Sequence, residues 1–131
     1  MNNKIKYSLL IVLPVILFIT AHILKVVQGP YYLNFYDPSY VYLINSLNLA
    51  QLSGYGVGHF DHPGTTVQVL GAVAVKLFYF LTNNNQDIVN DVLSRPESYL
   101  FFMNKFFVFL NCTALFFVGY FTLKVTGNFL R

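Results

Sequence analysis

The chain has 131 residues, of which 56% are hydrophobic and only 10% are charged, with a net charge of +3. Soluble domains average about 25% charged residues, and disordered chains need low hydrophobicity with high net charge. Both classes are therefore excluded, and so is a nucleic-acid surface, which needs a basic stripe or cluster.

A single cysteine, Cys112, excludes an internal disulfide framework and a cysteine-based zinc site. The apolar residues fall into runs of membrane-spanning length. The fold predicted is an all-α membrane protein, a single membrane region with about three transmembrane helices.

The first span is predicted from Tyr7 to Val27, about 21 residues, enough to cross a hydrocarbon core of roughly 30 Å. Lys4 and Lys6 precede it, as they would in a signal peptide. The run is longer than a signal-peptide core and no small-residue cleavage motif follows it, which favours an uncleaved span. Pro14 lies inside it, as membrane helices tolerate.

A long loop follows, residues 28–64. Loops of this length usually carry function or structure of their own. Five of the ten tyrosines fall between Tyr31 and Tyr42, and the loop holds Asp37, His59, Asp61 and His62. Asp37 followed by Pro38 reads as a helix cap and a first-turn proline. Beyond them Tyr40, Leu43, Ile44, Leu47 and Ala50 recur at helical spacing, with Asn45, Ser46 and Asn48 on the other side. This predicts an interfacial juxtamembrane helix, its apolar stripe in the lipid boundary or against the bundle, ending near Gly54. The glycines at 54, 56 and 58 do not form a dinucleotide fingerprint, because no strand precedes them and the spacing differs.

The second span is predicted over 65–82 and the third over 98–123, each with a proline just before it, Pro63 and Pro96. Between them, residues 83–97 read as a solvated inner loop with a short amphipathic turn around Ile88, Val89, Val92 and Leu93. Its carboxylates, Asp87, Asp91 and Glu97, match no calcium-loop spacing. The positive-inside rule places the N-terminus in the cytoplasm and the 28–64 loop on the extracytoplasmic side. Lys76 and Lys105 then snorkel toward the inner face. Lys124 and Arg131 fit a turn into a further helix, so the chain reads as the N-terminal part of a larger transmembrane domain.

The run Tyr-Asp-Pro-Ser-Tyr-Val-Tyr at 36–42, then Asp-His-Pro-Gly at 61–64 opening a span, resembles the N-terminal part of GT-C glycosyltransferases. These are multi-span enzymes typified by protein O-mannosyltransferases and lipid A aminoarabinose transferases. The resemblance covers residues 5–125 in topology and 36–68 in specific motifs. Pro38 stands where that superfamily carries a second acid, and Gly64 where it carries a second proline. The resemblance implies transfer of a sugar from a polyprenyl-phosphate donor to an acceptor outside the cytoplasm. It implies Asp37 as the base, with Asp61 and His62 orienting acceptor or donor or binding a divalent metal if one is used. Tyr40, Tyr42, His59 and Gln68 are then substrate-binding candidates. The implied partners are membrane lipid, the lipid-linked sugar and an unspecified acceptor.

Each of these residues also has a structural reading. Asp37 can simply cap its helix, and Asp61-His62-Pro63 can cap the second span. The tyrosines can be interfacial anchors, and Gln68 can bond between helices. Asn104 and Asn111, seven apart on one face, predict a buried interhelical contact, and Cys112 reads as a small packing residue. The competing function is a non-catalytic multi-span membrane protein acting as a binding or assembly subunit.

Overall fold

In the computed structural model, residues 3–33, 39–52, 64–82 and 86–126 are described. They form five helices and one 3₁₀ turn: α1 (Asn3–Gln28), the turn Tyr31–Leu33, α2 (Ser39–Ala50), α3 (Gly64–Thr82), α4 (Ile88–Ser94) and α5 (Pro96–Thr126). Three of the helices are long and apolar enough to cross a membrane, over Ser8–Gln28, Thr65–Thr82 and Pro96–Val125. The protein is thus an all-α, multi-span membrane protein with a short helix between its first two spans. The spans begin and end within a few residues of the limits expected from the apolar runs.

The chain divides into two units, Met1–Gly29 with Phe106–Arg131, and Pro30–Lys105. In the first, α1 runs antiparallel to the second half of α5. Leu10 lies against Gly119, where an added Cβ would come within 2.9 Å of its Cδ2. Further along, the Cys112 thiol donates to the Pro14 carbonyl at 3.3 Å. Cys112 therefore packs between helices, as its size suggested, and bonds to the proline inside α1.

The second unit is built on α3. Ser46 of α2 and Met103 of α5 both meet Gly71, near the middle of α3. Tyr40, near the start of α2, bonds to Glu97, near the start of α5. Hence α2 and α5 leave that end in the same direction, and α3 runs back toward it, reaching Arg95 at Thr82. The buried stripe of α2 is Leu43, Ser46, Leu47 and Ala50, with Asn45 buried as well.

This corrects two expectations. Asn45 and Ser46 are enclosed instead of facing away, while Ile44, assigned to the apolar stripe, is 40% exposed. The reason is tertiary, since Gly71 opens a slot on α3 that only a small side chain such as Ser46 can enter. In addition, Tyr31, Tyr32 and Tyr40 lie beside Glu97 at one end of this unit. The links that draw them together are hydrogen bonds to Glu97, a residue whose partners no local pattern announces.

Candidate functional site

Two polar clusters stand side by side in sequence on α4 and the start of α5. The first is centred on Asp91, which is 1% exposed. Asp87 caps α4 by accepting from the Val89 amide at 3.2 Å, which starts the helix and sets Asp91 on its inner side. Four residues on, Arg95 closes a two-pronged ion pair, Nε to Oδ1 at 3.0 Å and Nη2 to Oδ2 at 2.6 Å. The Tyr99 hydroxyl donates to the same Oδ2.

Arg95 also donates to Thr82 Oγ1 at 2.8 Å, joining the end of α3 to the α4–α5 junction. Its guanidinium lies 5.3 Å from the Phe78 ring and 5.6 Å from the Tyr99 ring, within cation–π range. The hydrogen bond to Asp91 raises the Arg95 pKa above its ordinary value. These groups satisfy one another, and this is what permits a carboxylate to be enclosed at all. The expectation of a solvated linker over 83–97 is therefore corrected at Asp91, whose Arg95 partner sits at the i,i+4 spacing that favours such pairs.

The second cluster is the Glu97 carboxylate in the first turn of α5. It accepts from the amides of Tyr31 and Tyr32, each at 3.1 Å, and from the Tyr40 hydroxyl. Tyr31 is buried, and its own hydroxyl donates to the Leu100 carbonyl at 3.4 Å. Glu97 thus ties together residues on both sides of the 34–38 segment. Burial first, then the hydrogen bond to Glu97, pushes the Tyr40 phenol from 10.0 up to about 12.

A raised folded-state pKa means that this contact stabilises fully below pH 10 and is lost as pH rises toward 12. The difference in 295 nm absorbance titration between the parent chain and Tyr40→Phe should show one phenol ionising near 12. Glu97→Gln should move it part of the way back, the burial contribution remaining. An ordinary tyrosine titration in the parent would remove the carboxylate contact.

Of the candidate residues, Asp37, His59, Asp61 and His62 lie outside the described residues. Tyr40 and Tyr42 are half-buried on α2, with Tyr40 engaged by Glu97. Gln68 is 1% exposed within α3, which fits a bond between helices. Tyr40 and Gln68 are not brought together, because they lie on opposite sides of the Ser46–Gly71 contact along antiparallel helices, roughly 13 Å apart in axial rise. Ser39 and Gly64, the described residues nearest Asp37 and Asp61, are separated the same way by about 20 Å of rise.

Sequence reasoning missed Asp91, Arg95, Tyr99 and Glu97 as an organised group. The i,i+4 pair was a usable signal for the first two. No pattern within the chain linked Glu97 to Tyr31, more than sixty residues away. Lys105 reaches back over the Phe101 ring at 4.3 Å, toward the start of α5, the direction snorkelling required. Among the described residues, no three His, Cys, Asp or Glu side chains converge as a metal-binding group. No family model, no curated protein and no solved structure matches this chain.

Proposed function

We propose that this protein takes part in moving a sugar from a polyprenyl-phosphate donor to an acceptor on the extracytoplasmic side of a membrane, as GT-C glycosyltransferases do. The observation that carries the reading is the pair of motifs at 36–42 and 61–64, the first leading directly into a short helix between membrane spans. Such a transfer needs a carboxylate beside the acceptor hydroxyl as general base, which we assign to Asp37. It also needs a pre-arranged polar environment for the departing phosphate. Tyr40 and Tyr42 follow Asp37 on α2 and offer ring faces to a sugar. Glu97 supports the assignment of Asp37 by holding residues on each side of its segment.

The test uses the complete gene product in proteoliposomes with undecaprenyl-phosphate mannose, glucose or aminoarabinose as donor. Release of undecaprenyl phosphate with sugar transfer is the expected result. Asp37→Asn should lower the rate about 100-fold, at the lower end of general-base effects, with insertion unchanged. Equal rates in the two proteins would remove Asp37 as the base. No donor consumption by the parent protein would remove the enzymatic reading. The second reading, an assembly subunit, is favoured by the exposed carboxamide of Asn111 on α5 and predicts a stable complex without turnover.

A further inference from the structure

The middle of α5 carries a polar side chain where hydrocarbon would surround it. Asn111 lies midway between Pro96 and Val125, the limits of the third span, and it is exposed. Its Nδ2 donates to the Phe107 carbonyl one turn back at 2.9 Å. That bond uses one amide hydrogen and leaves the carboxamide oxygen and the second hydrogen with capacity to spare. At an aqueous surface water would take up that capacity. In a bilayer core no water is present to do so, and unmet polar groups are costly.

Asn111 opens into a groove of about 440 Å³ formed within the α1 and late-α5 unit, lined also by Leu17, Ala21, Val108, Ala114 and Val118. Ala21 and Ala114 are small enough to let another helix backbone approach closely, the usual condition for helix association in membranes. A lipid chain would fill the apolar part of this groove but brings neither donor nor acceptor to the depth of Asn111.

A second copy of this chain does both. Copies inserted in the same orientation hold their α5 helices parallel, so each presents Asn111 at the same depth. A carboxamide is both donor and acceptor, and two of them related by a twofold axis can exchange hydrogen bonds. This self-complementarity is what an isologous dimer requires. We propose that the protein forms a parallel homodimer through this groove, with Asn111 of each copy paired across a twofold axis along the membrane normal.

The experiment reconstitutes the full chain in phosphatidylcholine vesicles and follows self-association by energy transfer as the protein is diluted into lipid. The parent should dimerise, Asn111→Leu should weaken dimerisation about tenfold, and Asn111→Gln should restore most of it. Ala114→Phe, which fills the groove, should weaken it independently of the hydrogen bond. With Cys112→Ala in place, Ala114→Cys should give oxidised dimers. Because Asn111 and its groove face outward, helical content should be equal in all variants, and circular dichroism checks this. A parent that stays monomeric at every dilution, or one that associates only with a different protein, would overturn the proposal. So would an Asn111→Leu variant that dimerises as tightly as the parent.

Discussion

Arg95→Ala is expected to destabilise the folded protein by about 3–5 kcal/mol, the range for removing one member of a buried ion pair. It should exceed the loss in Asp91→Ala. The asymmetry follows from exposure, since the Arg95 side chain is 29% exposed and Asp91 only 1%. Without Asp91, the guanidinium can turn toward water while keeping its Thr82 bond. Without Arg95, the carboxylate stays enclosed and loses both charged hydrogen bonds, keeping the Tyr99 hydroxyl on its Oδ2. That stranded carboxylate takes up a proton more readily, so the deficit of Arg95→Ala should shrink as pH is lowered. Denaturant unfolding in detergent at two pH values measures all three quantities. The double replacement Asp91→Leu with Arg95→Met, which leaves no unpaired charge, should lose much less than Arg95→Ala alone. Equal losses in the two single variants would show that the pair is not enclosed as described.

Gly71→Leu should cost about 3 kcal/mol and loosen α2 from α3, the upper part of the range for overpacking a filled interface. Even a Cβ at Gly71 would stand 2.2 Å from Ser46 Oγ, 3.0 Å from Ser46 Cβ and 2.9 Å from Met103 Cε. The methionine end can swing aside, but Ser46 Cβ moves only if α2 moves. Gly71→Ala should therefore be destabilising despite the roughly 1 kcal/mol gain in helix propensity from replacing glycine. Ser46→Gly should rescue it, because both offending atoms are removed, whereas Ser46→Ala should rescue it only in part. By itself Ser46→Ala should be close to neutral or stabilising. The buried Ser46 hydroxyl has no hydrogen-bond partner among the described residues, so its removal relieves a desolvation cost. Thermal unfolding of the five variants in one detergent tests the whole series, and a stabilised Gly71→Ala would refute the close approach.

Some features were legible because they rest on short-range chemistry. Spans at Ser8–Gln28, Thr65–Thr82 and Pro96–Val125 follow from runs of apolar residues long enough to cross hydrocarbon. The start of α5 at Pro96 follows from a proline that suits the first helical turn. The short helices α2 and α4 follow from apolar periodicity, and Asp87 caps the second of them. The buried interhelical contact expected from the seven-residue spacing of Asn104 and Asn111 is not found at Asn111, which is exposed and bonds to the Phe107 carbonyl of its own helix.

What the sequence by itself determined about this protein is therefore its class: an all-α chain with three membrane spans, and the approximate limits of each helix. Those properties depend on hydrophobicity and periodicity, which are local sums over neighbouring residues. Only the tertiary structure decided which polar residues work together. Glu97 joins Tyr31, Tyr32 and Tyr40, and Ser46 enters the space left by Gly71. A carboxylate can accept from any nearby donor and a glycine can admit any small neighbour. The choice of partner rests on how helices cross, a property no local stretch of residues encodes.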